Sequence, residues 1–359
     1  MAGFATRLVR WQRRHGRSLL PWQHTRDPYR VWLSEVMLQQ TQVSAVIPYY
    51  ERFLRRFPDL AALAGADEEE VLRLWSGLGY YARGRNLLAT AREIQRRGCF
   101  PDSAHEIGKL PGVGRSSAAA IAAFAFGERA AILDGNVKRV LARCFGIGGW
   151  PGDRSIEARL WALANDLLPK KNIETYTQAL MDLGATLCTK AKPACAICPV
   201  KAECVALKTG RVDQLPAPRP RKALPFRRTT WLVLMRAGEV LLEKRPSSGL
   251  WGGLWTFPEA AGKDLVAYCA RNLGCEVAAA RKLPLLEHGF THFRLRIQPV
   301  LCDVRKVKPR AESPGRLWIA AEDALAAAVP APVRKLLARL SAEQGVDPLQ
   351  ARAGVGELK

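Results

Sequence analysis

The stretch Leu110-Pro111-Gly112-Val113-Gly114-Arg115-Ser116-Ser117 decides how the first half of the chain is read. Two glycines one residue apart permit a tight turn with bare backbone N–H groups, and a helix N-terminus follows at once. Helical stretches over residues 103–109 and 116–126 flank the turn, which makes it an anion site of the helix-hairpin-helix kind. Gly112, Val113 and Gly114 are its expected phosphate contacts. A Gly-x-Gly turn by itself also describes a plain connection between two helices, so the surrounding composition has to weigh in. The chain has 359 residues and a formal net charge of +22, a field that attracts polyanions. Nucleic acid is therefore the first expected partner, ahead of a membrane surface or a ribosomal-type role.

Working outward, 359 residues lean toward two domains, and 48% hydrophobic with 25% charged residues is a globular make-up that excludes a disordered or fibrous chain. Residues 1–208 place apolar side chains at spacings of three and four and read as an all-α domain. Residues 209–229 carry Pro216, Pro218, Pro220 and Pro225 among Arg219, Arg221, Lys222, Arg227 and Arg228, an extended linker suited to lie along phosphates. Strand-like runs at 230–236, 240–244 and 290–304, with helices near 263–273 and 332–340, make residues 230–342 an α/β or α+β domain. Residues 343–359 read as a flexible tail. The longest uncharged apolar stretch, 116–127, is shorter than the ~20 residues that span a bilayer, and no export signal follows the start. Arg7, Arg10, Arg13, Arg14, Arg17 and Arg26 imitate a transit peptide but read more simply as a basic first helix, so a cytoplasmic protein is expected.

Nine cysteines without an export signal point to metal binding or burial rather than disulfides. Cys188, Cys195, Cys198 and Cys204 stand as C-x6-C-x2-C-x5-C, four thiolates that suit either a [4Fe-4S] cluster or a structural zinc. Zinc sites usually pair their ligands closely; here only Cys195 and Cys198 form such a pair, which favours the iron–sulfur reading. Cys99, Cys144, Cys269, Cys275 and Cys302 are scattered and read as plain core or surface residues. Lys190, Lys192 and Lys201 make the cysteine loop basic, so its expected work is to present cations to phosphate.

The hairpin, then Leu133-Asp134-Gly135-Asn136-Val137-Lys138-Arg139-Val140, then the cysteine loop, in that order and spacing, resemble the helix-hairpin-helix DNA glycosylases that carry an iron–sulfur cluster. Leu20-Pro21-Trp22, Val31-Trp32-Leu33-Ser34-Glu35-Val36-Met37-Leu38-Gln39-Gln40-Thr41-Gln42 and Gly77-Leu78-Gly79-Tyr80-Tyr81-Ala82-Arg83 narrow the resemblance to the adenine DNA glycosylases of the MutY type. The resemblance implies a monomeric base-excision enzyme at the bacterial nucleoid, acting on adenine opposite 8-oxoguanine or guanine in double-stranded DNA. Cutting an N-glycosidic bond needs an acid to protonate the base and a carboxylate near the sugar cation. Glu35 shares a helical face with Val31 and Leu38, whose apolar side chains favour a raised pKa. The bare sequence also allows an exposed helical glutamate; the resemblance makes Glu35 the general acid toward adenine N7. Asp134 reads first as the N-cap of a helix over 136–145, and the resemblance adds oxocarbenium stabilisation, with Asn136 holding the same turn.

The target base must leave the stack, and Gln40 and Tyr80 are the candidates to fill the gap, with Leu78 a further expected DNA contact and Lys138 placed to contact phosphate. Ser116 stands where the related endonuclease III type carries its Schiff-base lysine. A monofunctional glycosylase is expected, and a bifunctional pyrimidine glycosylase and lyase, or a non-catalytic iron–sulfur DNA-binding protein, are the alternatives. Leu250-Trp251-Gly252-Gly253-Leu254-Trp255-Thr256-Phe257-Pro258 resembles the run that opens a Nudix signature, yet the helix that follows offers Asp264 and no glutamate to hold Mg²⁺. The second domain is thus Nudix-like and turned to recognition. Phe290, Thr291 and His292 match the family's lesion-reading loop, with Thr291 in place of its serine.

Overall fold

The computed structural model of the chain describes residues 3–220, 223–260 and 264–343. In chain order its helices are α1 (Phe4–His15), α2 (Pro28–Leu38), α3 (Val43–Arg56), α4 (Leu60–Ala64), α5 (Glu68–Trp75), α6 (Ala82–Arg97), α7 (Ala104–Ile107), α8 (Arg115–Phe126), α9 (Gly135–Cys144), α10 (Arg154–Asp166), α11 (Ile173–Asp182), α12 (Val205–Lys208), α13 (Leu265–Tyr268), α14 (Ala321–Ala324) and α15 (Ala331–Glu343). The strands are β1 (Phe226–Arg236), β2 (Glu239–Lys244), β3 (Trp255–Thr256), β4 (Glu259–Ala260), β5 (Cys275–Lys282), β6 (Leu286–Gly289), β7 (Arg294–Val307) and β8 (Arg316–Ala320). Side-chain caps start many of the helices: Asp27, Asp59, Asp67, Ser103, Asp134 and Asp153 each accept a first-turn backbone N–H.

The described residues form two compact units, one within 1–65 and 86–221, the other within 66–85 and 222–359. In the first, Val137, Val140, Leu141, Leu180 and Leu183 of α9 to the end of α11 close a core with Leu8 of α1 and Leu160 of α10. α2 packs on α8 and is buried almost all round, as its Val-Trp-Leu-Ser-Glu-Val-Met run dictates.

The second unit is built on one mixed sheet ordered β3-β2-β1-β7-β5, with β4 paired to β1, β6 to β7 and β8 to β2. β1 and β7 run parallel from Phe226↔Arg294 to Met235↔Asp303, and the other pairings are antiparallel. Because side chains alternate along β1, Trp231 and Val233 enter one apolar core, with Val240, Trp251, Leu336 and Leu337, while Leu232 and Leu234 enter another, with Cys269, Leu273 and Cys302. A strand covered on both faces needs a continuous apolar run, which is what residues 230–236 supply.

The linear division at residue 208 leaves residues 66–85 in the first domain, whereas by packing they belong to the second unit, where Leu72 is fully buried against the sheet's core. The expected extended linker is also shorter than 209–229. Leu215 is buried in the first unit's core, Ala217 N–H donates to Gly149 O (3.2 Å), and Arg219 lies over the Trp150 ring. Prolines there shape a packed segment instead of a free spacer. The helix expected over 263–273 is the short α13 followed by a single π-turn at Cys269–Leu273, with Lys263 outside the described residues. The tail assigned to 343–359 lies outside them too, except Glu343 at the end of α15. No helix among the described residues is long and apolar enough to cross a membrane.

Candidate active site

Glu35 stands on α2 between Ser34 and Val36, both buried, and is itself only partly open to solvent. No described residue hydrogen-bonds its carboxyl. Burial first, and then the charge of Asp134, push its pKa up to about 8, so at neutral pH Glu35 is a neutral acid. Asp134 caps α9 by accepting the Val137 N–H at Oδ1 (2.7 Å), as the sequence led one to expect. Burial raises its pKa as well, opposed by the Val137 and Asn136 amides and by the Arg139 guanidinium. Glu35 and Asp134 come from segments a hundred residues apart and line one open cavity of about 1120 Å³ with Gln40, Ser117, Asn136 and Arg139. Arg139 fastens this wall: its Nη2 donates to Asn136 Oδ1 (2.9 Å) and Gly184 O (2.6 Å), and its Nε to Cys188 O (2.8 Å).

Glu35 also lines a second pocket, of about 670 Å³, with Trp22, Val31, Phe124, Gln178 and Met181. Gln178 Nε2 donates to Asp182 Oδ1 (2.9 Å), which orients the amide and leaves Oε1 and the second N–H for a ligand. Asp182 is fully buried and further accepts from Gln12 Nε2 (2.9 Å), Arg17 N (2.9 Å) and Arg17 Nε (2.8 Å). Apolar side chains of Trp22, Val31, Phe124 and Met181, one oriented amide and one neutral acid suit a flat heterocycle, in a pocket lined also by Arg13, Arg17, Arg26 and Glu174. The sequence reading missed Gln178 and Asp182, because the other partners of Asp182 lie in α1 and just beyond it.

The hairpin has the expected shape. Gly112 takes φ +75°, and a Cβ there would stand 2.6 Å from Asn86 Nδ2, so only glycine fits. Gly114 precedes α8 without a side-chain cap, which leaves the first amides of that helix available to an anion. Ser116 Oγ accepts the Leu133 N–H (2.9 Å) and so ties the hairpin's helix to the segment that carries Asp134. Lys138, expected at phosphate, pairs with Glu157 (2.6 Å). Gln40 lies just past the end of α2, exposed and at φ +57°, a conformation a side-chain-bearing residue holds only when its surroundings enforce it.

Cys188, Cys195, Cys198 and Cys204 line a single cavity, and Cys144, read from sequence as a scattered cysteine, lines it with them. Among the described residues no three His, Cys, Asp or Glu side chains gather closely enough for one metal ion. Arg143, only 3% exposed, donates to Thr189 O (2.6 Å), Lys190 O (3.1 Å), Leu215 O (2.8 Å) and Cys188 Sγ (3.5 Å), and no carboxylate among the described residues pairs with it. A buried cation facing four thiols without a carboxylate fits an anionic metal–thiolate group.

In the second unit Leu78 is buried and Tyr80 is 48% exposed at φ +49°, on a turn that Arg83 Nη2 holds by donating to Leu78 O and Gly79 O (3.2 Å each). Phe290, Thr291 and His292 sit in the turn between β6 and β7, not on the strand that residues 290–304 suggested, because Phe290 N–H closes onto Phe293 O (2.9 Å). Thr291 and His292 are exposed at its tip. Asp264 is spent as the cap of α13, accepting the Ala267 N–H (2.9 Å).

Known proteins match this architecture. A family model described as HhH-GPD superfamily base excision DNA repair protein matches residues 33–166, and one described as NUDIX domain matches residues 230–339. The adenine DNA glycosylase of Buchnera aphidicola subsp. Baizongia pistaciae is 35% identical over 341 residues, 94% of this chain and 96% of that one. The adenine DNA glycosylase of Homo sapiens is 34% identical over 402 residues, 94% of this chain and 73% of that one. The solved structure of a thermostable thymine-DNA glycosylase superposes with a TM-score of 0.53 at 29% identity, covering 57% of this chain and 95% of that one. The helical framework alone is thus shared with an enzyme of another base, but identity of about a third along nearly the whole length, across both matched domains, shows that this chain belongs to the adenine DNA glycosylases.

Proposed function

We propose that the protein excises adenine opposite 8-oxoguanine or guanine in double-stranded DNA, as a monomeric, monofunctional glycosylase. The observation that carries this reading is the pairing of Glu35, held neutral to about pH 8, with Asp134 in one cavity beside a pocket fit for a purine. The hairpin amides and the basic cysteine loop grip phosphate. Adenine turned out of the stack enters the Trp22–Gln178 pocket, where Gln178 Oε1 accepts from the exocyclic amine. Glu35 gives its proton to N7, so the electron pair of the N-glycosidic bond leaves on a neutral base and not on an anion. Asp134, carboxylate down toward the sugar, stabilises the cation at C1′ and orients the water that adds there, whose proton returns to Glu35.

Cys188, Cys195, Cys198 and Cys204 would hold a [4Fe-4S] cluster, which when bound fixes the loop bearing Lys190, Lys192 and Lys201 in shape to meet phosphate. Gln40 and Tyr80 support the gap left in the duplex, with the buried Leu78 in the same DNA-facing turn as Tyr80, and the Phe290-Thr291-His292 turn reads the opposite base. Lys138 serves phosphate only by leaving Glu157, so its part is the smaller one. Ser116 supplies no amine, and with its hydroxyl engaged at Leu133 the enzyme has no Schiff-base step at that position. In a bacterial cell the substrate places the enzyme at the nucleoid. The test is single-turnover incubation with duplexes carrying adenine opposite 8-oxoguanine, opposite guanine and opposite cytosine, and thymine glycol opposite adenine, each with and without alkali. Adenine release opposite the first two, with strands cut only after alkali, is expected; release of thymine glycol with cutting in its absence would replace this reading by the bifunctional one.

A further inference from the structure

The segment 66–85 and the lesion-reading turn belong to the same compact unit, and one side chain stands between them. α5 buries Val71, Leu72 and Trp75, with Leu72 in the sheet's core beside Trp231, Val240 and Trp251. Its polar groups are tied to the sheet as well: Glu69 accepts from Lys244 Nζ (2.7 Å) and Trp255 Nε1 (2.8 Å). Ser76 Oγ donates to Val329 O (3.1 Å) and accepts from Arg334 Nη2 (2.6 Å), and Tyr81 OH donates to the same Val329 carbonyl (3.3 Å). On the sheet's side the receiving surface is the turn Trp251-Gly252-Gly253. Arg85 Nη1 donates to Gly252 O, and Gly253, at φ +75°, comes so close that a Cβ would meet Glu68 Oε1 at 3.0 Å and Leu72 Cδ1 at 3.2 Å.

The same turn touches the other element. The Trp251 ring packs at 5.6 Å from Phe290 and 5.9 Å from His288, and Phe290 stacks on Phe293 at 4.6 Å. Trp251 itself is held at φ +55°, a left-handed conformation that a bulky side chain adopts only under constraint from both sides. One apolar cluster therefore joins Tyr81, next to Tyr80, and Leu72 with Trp251 and with Phe290 of the other turn.

We propose that Trp251 is a positioning residue that fixes the Tyr80 turn and the Phe290-Thr291-His292 turn relative to each other, so that the two meet the base opposite adenine as one rigid reader. The proposal deepens the reading above and rests on it. Trp251 lines neither of the cavities that Glu35 and Asp134 line, so loosening it should spare excision opposite guanine while eroding the preference for 8-oxoguanine. The experiment compares full-length, cluster-loaded wild type with Trp251→Phe, which keeps an aromatic ring but gives up the reach of the indole, and with Glu69→Gln plus Ser76→Ala, which weakens only the ties of α5. Single-turnover excision opposite 8-oxoguanine and guanine is read beside hydrogen exchange of amides 77–81 and 288–293.

In Trp251→Phe both sets of amides should exchange faster, and the preference should fall about 2- to 30-fold, the range usual for coupling through packed neighbours. The α5 variant should speed exchange in 77–81 and lower the preference in the same direction. Should Trp251→Phe fail to fold, the α5 variant alone decides. Faster exchange with an undiminished preference, or unchanged exchange in both variants, overturns the proposal. A wild type without any preference for 8-oxoguanine would instead refute the function proposed above, so the two failures are distinguishable.

Discussion

Replacing Glu35 by glutamine tests the acid and its burial together. The carboxyl titrates near 8 in the folded protein against an ordinary value of 4.5. Below pH 4.5 it is neutral whether the chain is folded or not, and the group contributes nothing to pH dependence. Between 4.5 and 8 the unfolded chain releases a proton that the folded chain keeps, so wild-type stability falls as pH rises, and above 8 the penalty is constant. At ~1.36 kcal/mol for each decade, the span from pH 5.5 to 8 is worth at most ~3.4 kcal/mol, and water reaching the carboxyl from the cavity lowers this to ~2–3 kcal/mol. Glutamine carries no such penalty. Glu35→Gln should therefore gain ~2–3 kcal/mol on wild type between pH 5.5 and 8.5, measured by denaturant unfolding of the cluster-loaded proteins. In the same series, wild-type single-turnover excision should fall tenfold per pH decade above about 8, where Glu35 loses its proton, and the variant should be slower at every pH by ~10²–10⁴-fold. A stability difference that does not change with pH, together with excision that stays flat to pH 9.5, would refute both the raised pKa and the role of the acid.

Asp134→Asn separates cap from catalyst: asparagine caps a helix about as well as aspartate, so stability should change by well under ~1 kcal/mol while excision under single turnover falls by orders of magnitude. A parallel loss of both would reduce Asp134 to a cap. Ser116→Lys should create borohydride-trappable product that wild type lacks, and removing the Ser116–Leu133 hydrogen bond should cost ~1 kcal/mol in unfolding. Trapping by wild type itself is the contrary result. Wild type should contain close to ~4 iron atoms per chain and Cys198→Ser markedly fewer, with weaker duplex binding at matched salt; iron assay of anaerobically purified protein decides, and stoichiometric zinc without iron would overturn the cluster.

What the sequence made legible is local. Gly112 and Gly114 announce the hairpin because a tight turn before a helix needs those residues side by side, and Asp134 announces a cap because the cap and its amide are three residues apart. The cysteine loop is legible for the same reason, all four thiols falling within one short segment. Asp182 was not legible: its partners Gln12 and Arg17 lie 170 and 165 residues away, and no spacing rule connects them. Nor was the place of residues 66–85, since α5 looks like any amphipathic helix and only the buried contacts of Leu72, Ser76 and Glu69 say which core it serves. The proline-rich stretch after residue 208 misled in the opposite direction, because composition describes an unpacked chain and cannot register that Leu215 has a core to enter or that Arg143 awaits its carbonyl.

Adenine is a normal base, so the chemistry around Glu35 and Asp134 cannot by itself spare adenine paired with thymine, and the decision must rest on the opposite strand. A fragment ending near Arg211 is a poor test of that idea. It removes Leu215 from the first core and takes from Leu72 a burial worth ~1.5–3 kcal/mol, so the turn of Tyr80 would loosen along with the loss of the reader. Thr291→Ala with His292→Ala in the full chain is the cleaner perturbation, because both side chains are exposed at the tip of their turn and neither supports the packing of α5 or Trp251. If the pair reads the lesion through one or two hydrogen bonds, its loss should erode the preference for 8-oxoguanine over guanine by ~1–3 kcal/mol, about 5- to 150-fold. Excision opposite guanine and the unfolding midpoint should stay nearly unchanged. A double variant that discriminates as well as wild type in single turnovers at matched salt would move the lesion contact away from this turn, and the first place to look would then be Tyr80, on the segment that packs against the same sheet.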